Sequence, residues 1–255
     1  MSRENVTIIF NDEGCDSYEF EGKDIALDND VADTVMDVKA ALEKEGFSVS
    51  LNPFESRKNG ALDNFIKGLG KAAEGVLFNM CEGAFGKSSF EMHIAALLEV
   101  YGLRFTGSGA FTLGLALNKG FTKDILKSRG IPTPEHFVTD GAAYKLEKWH
   151  KFPLIVKPLN EDASIGIDAG SVVNTDEELK KRVEFVVDKH RQNAIVEEYI
   201  DGREINIAVL GNGKEARTLP PSEIEFVDFP DDRPRICCYE SKWVVDSPLY
   251  QKTVP

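Results

Sequence analysis

The sequence has little of what marks several common protein classes. It contains 4 cysteines in 255 residues, and their irregular placement supports neither a disulfide framework nor a zinc site. No stretch approaches the ~20 apolar residues of a membrane span, and the apolar run at residues 6–10 is too brief for a signal peptide. No dense run of Lys or Arg offsets the formal net charge of −13. These absences predict a cytoplasmic protein that binds neither nucleic acid nor membrane.

Two familiar catalytic patterns are missing as well. The four histidines, His93, His136, His150 and His190, show no metal-ligand spacing. No serine lies in a nucleophile-elbow pattern. A zinc enzyme and a serine hydrolase are therefore poor interpretations of this chain.

Two short glycine segments resemble nucleotide-binding motifs without completing them. Gly86-Lys87-Ser88 lies between a predicted strand and a predicted helix, but a Walker phosphate loop also needs a glycine where this chain has Cys81. Gly107-Ser108-Gly109 would need another glycine at the position of Thr112. Both segments are predicted to be turns before helices. The first could still shape a ligand pocket, because loops after the strands of α/β sheets line such pockets.

The first part of the chain alternates strand and helix patterns. The predicted elements are a strand at 6–10, a helix from about 31 to 46, a strand at 47–51, a helix over 62–69, a strand at 75–79 and a helix at 90–101. A polar loop is expected between the first strand and the first helix. This order predicts an α/β fold with a parallel sheet covered by helices.

A second group of elements follows a helical region that starts near Gly107 and ends near Arg129. Gly130-Ile131-Pro132-Thr133-Pro134 breaks the helical pattern, because residues before proline favour extended backbone. The strands predicted next are His136–Thr139, 154–157, 170–173 and 194–199. A capping box formed by Thr175 and Glu178 starts a helix that runs to about residue 190.

The last part of the chain is predicted to be β structure. A strand region over 202–210 is followed by Asn212-Gly213, a dipeptide that favours a hairpin turn. Residues 247–255 show no pattern for a terminal helix, and the last β region has no predicted closing element. We therefore expect the sequence to be truncated.

Two predicted strands end in charged residues that suit a nucleotide. Lys157 ends an apolar strand, where a lysine is costly to bury without an anionic partner such as a phosphate. Glu197 and Glu198 close another apolar strand, and Glu204 lies just beyond a glycine turn. Their oxygens could accept hydrogen bonds from an adenine amino group and from ribose hydroxyls.

A lysine pair and a polar loop complete this candidate pocket. Lys119 and Lys123 lie four residues apart on a predicted helix and therefore share a face, which makes Lys119 a second candidate phosphate contact. The loop over residues 159–167 could fold over a polyphosphate with its backbone N–H groups and the Ser164 hydroxyl. An ordinary hairpin turn fits that loop equally well.

Taken in series, these segments resemble a known family. The motifs that carry the resemblance are Thr106-Gly107-Ser108-Gly109, Leu117-Asn118-Lys119 with Thr122-Lys123, the proline segment from Gly130 to Pro134, Ile155-Val156-Lys157-Pro158, the run from Val196 to Glu204, the run from Leu219 to Ile224, and Tyr239-Glu240-Ser241-Lys242. In this order they resemble D-alanine–D-alanine ligases, which belong to the ATP-grasp superfamily. The resemblance implies an N-terminal α/β (pre-ATP-grasp) domain over 1–115, an ATP-grasp central lobe over 116–200 and the start of its C-terminal lobe over 201–255.

The resemblance assigns one set of residues to the phosphates of ATP. Lys119 and Lys157 would contact the phosphates, and the loop from Ser164 to Gly166 would cover them. Lys242 lies on what resembles the family's mobile loop and would reach the terminal phosphate. Lys242 and Ser164 are therefore the expected catalytic residues.

A second set of residues is assigned to the nucleoside. Glu197 would face the adenine amino group, the backbone at Glu198 and Ile200 would hold the ring edge, and Glu204 would bind the ribose. The implied reaction, used in peptidoglycan biosynthesis, is attack of a carboxylate on the γ-phosphate of ATP to give an acyl phosphate. An amine then displaces phosphate and forms an amide. Cationic groups suit this reaction, because negative charge builds on the transferring phosphoryl group.

The chain departs from the family pattern near the expected amino-acid site. The family loop usually reads Glu-Gly-Ser-Ser, whereas this chain has Ala163 in place of a substrate-orienting serine. Trp243 replaces the family tyrosine after the loop lysine, and the glycine-rich segment with its substrate-binding glutamate is not recognisable in residues 10–21. We expect ATP use to be retained, and our hypothesis is a donor or acceptor other than D-alanine.

The expected cofactors are ATP and Mg²⁺, and the expected partners are amino-acid or dipeptide substrates and a second copy in a homodimer. The family's magnesium carboxylates and catalytic arginine come from a region beyond residue 255, so the 255-residue polypeptide itself is expected to be inactive. Three alternatives stay open: a ligase for another amino acid or carboxylate, a non-catalytic ATP-binding module, and a P-loop kinase built on Gly86-Lys87-Ser88.

Overall fold

The computed structural model describes residues 5–12, 17–20, 23–26, 29–55, 57–72, 74–141 and 150–255. The chain forms two compact units, Met1–Leu117 and Asn118–Pro255. The further division at residues 200 and 201 stays a prediction. Cys15 and part of the segment 10–21, both used in the sequence argument, lie outside the described residues. Within the described ranges, every helix is too short or too polar to cross a lipid bilayer.

A parallel sheet forms the centre of the first unit. In chain order its elements are β1 (Asn5–Asn11), β2 (Ser17–Phe20), β3 (Lys23–Ala26), α1 (Asn29–Lys44), β4 (Ser48–Phe54), α2 (Ala61–Lys71), β5 (Val76–Met80), α3 (Glu91–Val100) and α4 (Ala110–Leu117). β1 lies between β4 and β5 and pairs parallel with both. The core includes Ile9 of β1, Phe65 of α2 and Leu98 of α3. The α/β prediction is confirmed.

Two features of the first unit bear on the sequence predictions. The prediction of a polar loop before the first helix is wrong. β2 and β3 pair antiparallel in this segment, from Ser17 opposite Ala26 to Phe20 opposite Lys23. Each strand has only four residues, which is too short for a clear alternation signal. The segment at Gly86 is a turn, in which Ala84 and Lys87 exchange backbone hydrogen bonds of 3.2 and 3.0 Å. Their N–H groups are therefore used within the turn.

The second unit is built on antiparallel sheets. Its elements are α5 (Lys119–Ser128), β6 (His136–Thr139), β7 (Leu154–Pro158), β8 (Val172–Val173), α6 (Asp176–His190), β9 (Ala194–Glu198), β10 (Glu204–Asn206), β11 (Val209–Leu210), β12 (Arg217–Thr218), β13 (Ser222–Phe226), α7 (Tyr239–Trp243), α8 (Pro248–Gln251) and β14 (Thr253–Val254). The main sheet has the order β6-β9-β7-β8. A second sheet has the order β10-β13-β14, and β11 pairs with β12 in a hairpin around Asn212 and Gly213.

Alternation along β7 separates the two faces of the main sheet. Leu154 and Val156 pack with the buried side chains of α6, namely Leu179, Val183 and Val186. Ile155 packs on the opposite face, in a cluster with Phe229, Ile236, Cys238 and Leu249. Because successive strand residues point to opposite faces, Lys157 shares the face of Ile155. Glu197, which lies opposite Ile155 in the register, shares it as well.

Local capping explains where the predicted elements moved. The helical region after Gly107 is two helices, because the Asn118 side chain accepts a hydrogen bond of 3.0 Å from Phe121 N and starts α5 anew. The strand predicted over 170–173 shrinks to β8, since Asp168 caps a single 3₁₀ turn over Ala169–Ser171. The predicted cap of α6 is confirmed, with Thr175 Oγ1 accepting from Glu178 N at 3.2 Å.

The expectation that residues 247–255 lack a helix and a closing strand is wrong. The Ser247 side chain accepts a hydrogen bond of 3.0 Å from Leu249 N and caps α8, whose first residue is Pro248. Serine before proline is a helix-start signal that the sequence carried. β14 then pairs antiparallel with β13, with Phe226 opposite Thr253.

Candidate functional site

A buried carboxylate in the second unit holds two lysines. Glu197 on β9 is only 3% exposed. Its Oε2 oxygen lies 3.0 Å from Lys157 Nζ and 3.2 Å from Lys123 Nζ. The two cations therefore share one carboxylate oxygen.

The backbone explains why these three side chains meet. In the antiparallel pair of β7 and β9, Ile155 lies opposite Glu197, so Lys157 is a diagonal neighbour on the same face. Lys123 reaches the same oxygen from α5. Its ammonium also donates to Thr133 Oγ1 at 3.0 Å and to the Pro134 carbonyl at 3.4 Å. Burial is the main cause that lowers the pKa of Lys123, against the opposing effect of the Glu197 charge.

The second oxygen of Glu197 is the most informative atom of the site. Glu197 Oε1 is buried and has no hydrogen-bond partner within the described residues. A buried acceptor without a donor costs about 1–3 kcal/mol, and more when it is charged. Such an atom marks a position where an N–H donor from outside the chain would be stabilising.

Lys119 lies beside this cluster and is itself partly buried. Its Nζ donates to the Pro158 carbonyl at 3.0 Å and to the Glu161 carbonyl. Burial is the largest cause that lowers the pKa of Lys119 from 10.5 to about 8, and the charge of Lys157 adds to the effect. The structure therefore brings Lys119 and Lys157 together, as the sequence predicted.

Side-chain amides fix the base of the loop over residues 159–167. Asn118 Nδ2 donates to Asn160 Oδ1 at 3.0 Å, and Asn160 N donates to Gln192 Oε1 at 2.7 Å. Gln192 Nε2 in turn donates to Glu161 Oε1 at 2.8 Å. The first turn of α5 and the end of α6 thus hold the same few loop residues.

The tip of the loop has an unusual backbone. Ala163 and Ser164 have φ values of 47° and 63°, and Gly166 has a φ of 74°. The Ser164 hydroxyl donates to the Cys237 carbonyl at 2.7 Å, and the Trp243 indole N–H donates to the Ala163 carbonyl at 2.8 Å. The loop is therefore tied to a distant segment, which an ordinary hairpin turn would not be.

A buried arginine anchors the end of the loop. Arg182 of α6 donates through Nη2 to the Gly166 carbonyl at 2.8 Å and to Ser171 Oγ at 2.7 Å. Its Nη1 lies 2.9 Å from both carboxylate oxygens of Asp168. A side chain built at Gly166 would approach Pro158 Cγ to 2.5 Å and His190 Nε2 to 2.8 Å, so glycine is required there by space as well as by φ.

The residues expected around the nucleoside lie near the same strands. Glu198 N donates to the Glu135 carbonyl at 3.0 Å, and Glu135 N donates to Glu198 Oε2 at 3.1 Å. Ile200 is 64% exposed. Glu204 Oε1 accepts from Cys237 N at 2.8 Å.

Lys242 is exposed on α7, so it lies on a short helix where a mobile loop was expected. The neighbouring pair Cys237 and Cys238 directly precedes α7 and lies outside the strands. Cys238 is the N-cap of α7 and is buried in the core. Burial raises the pKa of the Cys237 thiol.

Sequence reasoning missed three contributors to this site. Lys123 was noted only as a neighbour of Lys119, although its four-residue spacing placed it on the same helix face. Gln192 carried no signal, because a glutamine after a helix is usually solvated. Trp243 was noted as a substitution, without its contact to the loop.

A magnesium site does not emerge from these residues. The described part of the chain contains no group of three or more His, Cys, Asp or Glu side chains placed to hold a metal ion. The carboxylates of the site are instead engaged by lysines or by backbone N–H groups.

Comparison with known proteins finds similar sequences. Residues 125–248 match the family described as D-ala D-ala ligase C-terminus. An uncharacterized protein, y4sG, of Sinorhizobium fredii is 35% identical over 196 residues, which are 76% of this chain and 56% of that protein. The D-alanine–D-alanine ligase of Aquifex aeolicus is 34% identical over 152 residues, or 58% of this chain and 47% of that enzyme.

Solved structures show the same fold. The D-alanine–D-alanine ligase of Bacillus anthracis, solved with ATP, matches with a TM-score of 0.62 at 21% identity, over 89% of this chain and 67% of that one. The Helicobacter pylori enzyme matches with a TM-score of 0.61 at 18% identity, over 90% and 77% of the two chains.

The fold is therefore the one seen in solved D-alanine–D-alanine ligase structures. Residues 125–248 are similar to the C-terminal part of D-alanine–D-alanine ligases, and the chain is similar in sequence to several proteins of that name. It spans 47–56% of the length of the two curated relatives described above.

Proposed function

We propose that this chain binds ATP and belongs to an ATP-dependent ligase that joins a carboxylate to an amine. The observation that carries the proposal is the unpartnered Oε1 oxygen of Glu197, which lies beside Lys123, Lys157 and Lys119. A nucleotide supplies both things that this cluster needs. Its base carries an N–H donor, and its phosphates carry the negative charge that three lysines favour.

The nucleoside would lie between β9 and the segment that follows it. The adenine amino group would donate to Glu197 Oε1, and the backbone at Glu198 and Ile200 would meet the ring edge. Because the Glu198 N–H already donates to Glu135, the Glu198 carbonyl would accept from the amino group, and the Ile200 N–H would donate to a ring nitrogen. Glu204 Oε1 is held by Cys237 N, which leaves Oε2 for a ribose hydroxyl.

The phosphates would lie along Lys157 and Lys119 and under the loop over 159–167. The Lys119 ammonium donates to the Pro158 and Glu161 carbonyls, so its remaining N–H would point to the phosphate. The Ser164 hydroxyl already donates to Cys237, and the Ile165 N–H donates to the Asp162 carbonyl, so the loop would contribute mainly the backbone N–H groups of Ser164 and Gly166. Lys242, exposed on α7, would meet the terminal phosphate.

The proposed reaction has two displacement steps. An oxygen of the substrate carboxylate attacks the γ-phosphorus, and the bond between this phosphorus and the β–γ bridging oxygen breaks. ADP is the leaving group, and the acyl phosphate that forms stays bound. The amine then attacks the acyl carbon, loses a proton, and releases inorganic phosphate as the amide forms. Lysines that stabilise the charge spread over the transferring phosphoryl group would lower the barrier of the first step.

The test measures binding and turnover separately. ATP affinity of the purified chain would be determined by calorimetry, and the Lys157→Ala variant would serve as the comparison. Phosphate release would then be followed with ATP and single amino acids for the whole ligase to which the chain would belong, and the products would be identified by mass spectrometry. Failure of the wild-type chain to bind ATP at millimolar concentration would refute the proposal. Turnover with D-alanine alone would refute the narrower hypothesis of a different donor or acceptor.

A non-catalytic ATP-binding module is the second candidate. The ion-paired cluster of Glu197, Lys123 and Lys157 fits this candidate as well, because it accounts for the binding of a nucleotide and not for its turnover. This candidate predicts submillimolar ATP binding with no phosphate release for any amino acid or amine offered. The ligase predicts release that requires both a carboxylate and an amine.

A further inference from the structure

We infer that Trp243 is a positioning residue, which sets the backbone of the phosphate-covering loop through its hydrogen bond to the Ala163 carbonyl. The inference rests on the proposed function, because the loop matters only if it meets phosphates. It assigns a use to a tryptophan whose side chain reaches the loop from a helix 80 residues away in sequence.

The loop adopts a conformation that its sequence does not favour. Ala163 and Ser164 are consecutive non-glycine residues with φ values of 47° and 63°. For residues with a Cβ atom, this left-handed region costs roughly 1–2 kcal/mol each. The arrangement persists only if surrounding contacts hold it.

The contacts that hold it come from one short segment. Trp243 Nε1 donates to the Ala163 carbonyl at 2.8 Å, and the Cys237 carbonyl accepts from Ser164 Oγ at 2.7 Å. Tyr239 N donates to the Ile167 carbonyl at 2.9 Å. Both left-handed residues thus have a direct bond to residues 237–243.

That segment can act as a support because it is fixed to the core. Tyr239 is 1% exposed and Cys238 3%, and Cys238 packs with Ile155 and Leu249. The indole is therefore carried by a helix that is anchored in the core at its start, while the loop that it holds has a strained backbone. Without the indole N–H, the peptide that joins Ala163 to Ser164 could rotate, and the Ser164 N–H would turn with the Ala163 carbonyl.

The chemistry of Trp243 excludes a direct catalytic role in this geometry. An indole N–H is a single donor, and here it is used by a backbone carbonyl. Trp243 would therefore act through Ala163 and Ser164, and its effect would be seen in nucleotide affinity. One neutral hydrogen bond lost at the loop corresponds to an approximately twofold to tenfold weaker affinity.

The two tryptophans of the chain permit a clean test. Trp149→Phe serves as the parent, so that Trp243 is the single source of tryptophan emission. Adding Trp243→Phe keeps an aromatic ring and removes only the N–H donor. ATP affinity would be measured by calorimetry for the parent and the double variant, and each would be unfolded in urea.

The inference predicts a twofold to tenfold weaker ATP affinity for the double variant, an unchanged urea midpoint, and a change in Trp243 emission when ATP is added to the parent. Equal ATP affinities of the parent and the double variant would overturn the inference. A loss of affinity accompanied by a lowered urea midpoint would also overturn it, and so would tryptophan emission of the parent that does not change with ATP. These results leave the proposed function intact. Absence of ATP binding by both the wild-type chain and the parent would overturn the two proposals together.

Ser164→Ala provides an independent check on the same strain argument. It removes the other bond that holds the left-handed pair. If both bonds hold one conformation, the losses of ATP affinity caused by Ser164→Ala and Trp243→Phe will not add when combined. Strictly additive losses would show that Trp243 does not act through this turn.

Discussion

Lys157 and Glu197 form an ion pair of 3.0 Å between adjacent antiparallel strands, 40 residues apart in sequence. Glu197 holds Lys123 through the same oxygen, so one buried carboxylate balances two ammonium groups. Removing this carboxylate would leave three lysines, including Lys119, near one another without their central anion. Glu197 therefore stabilises the second unit and, at the same time, lowers its affinity for a polyanion.

Glu197→Ala is expected to destabilise the chain by roughly 3–5 kcal/mol, because the lysines that it pairs with stay in place without a buried partner. Urea unfolding would measure the loss. ATP would restore more stability to this variant than a nucleoside does, since its phosphates can replace the missing charge. Equal stabilisation by ATP and adenosine would contradict that explanation.

A matched control for Glu197→Ala is available on the surface of α6. Glu177 and Lys181 form an exposed pair at 2.7 Å, with side chains 78% and 72% exposed. Glu177→Ala should change stability by no more than about 0.5 kcal/mol, because exposed pairs contribute little. A loss comparable to that of Glu197→Ala would mean that burial does not set the effect.

The pKa of Lys119 predicts a dependence of ATP binding on pH. Burial and the neighbouring Lys157 lower this pKa to about 8. Below that pH the ammonium is charged and attracts phosphate, and above it the neutral amine does not. ATP affinity should therefore fall as pH rises through about 8, and binding near pH 8 should take up protons. Calorimetry in buffers with different ionisation enthalpies would detect the uptake.

The same pKa predicts a trend in stability with the opposite sign. Lys119 has a folded-state pKa of about 8, below its ordinary value of 10.5, so the unfolded chain binds more protons between these values. The free energy of unfolding of the wild type should rise with pH over this window relative to Lys119→Met. Lys180→Met, on the exposed side of α6, should show no such difference. A flat difference for Lys119→Met would contradict the assigned burial.

Periodic elements were the easiest part of this chain to predict. The strand–helix alternation fixed the parallel arrangement of β1, β4 and β5, and apolar runs located β7 and β9 to within two residues. Short elements were missed, because α7 and α8 have five and four residues and depend on core contacts and caps for their stability. The hairpin of β2 and β3 was missed because each strand has only four residues.

The site was predictable in composition and less so in its bonds. Charged residues at the ends of apolar strands indicated Lys157 and Glu197 as candidate residues of one pocket, and strand pairing places both on one face of the sheet. Their direct bond to each other was not foreseen, because the register between two strands is not written in either one. The contact of Trp243 with Ala163 spans 80 residues and joins a side chain to a backbone carbonyl, for which no local pattern exists.

Gly166→Ala tests the requirement for a tightly packed left-handed residue at the end of the loop. The added Cβ would meet Pro158 Cγ at 2.5 Å, and the φ of 74° adds strain. We expect a loss of at least about 1–2 kcal/mol in unfolding free energy, from the φ strain alone, and weaker ATP binding. Gly202→Ala is the control, because nothing lies within 4 Å of its added Cβ and its φ is ordinary. Equal unfolding free energies for the two variants would contradict the packing argument.

Lys87→Ala and Lys157→Ala distinguish the ATP-grasp site from the alternative P-loop kinase. The Lys87 ammonium lies over the ring of Phe90, 5.5 Å from the ring centroid. The backbone N–H groups of Ala84 and Lys87 donate to each other's carbonyls within the turn. A phosphate would find neither a free nest nor a directed ammonium there. Lys157 instead lies beside the lysine cluster, and Glu197 would keep Lys123 as a partner after its loss. Lys157→Ala should therefore weaken ATP binding by about tenfold or more, while Lys87→Ala leaves it unchanged. The reverse pattern, measured by calorimetry at one salt concentration, would move the nucleotide to the first unit.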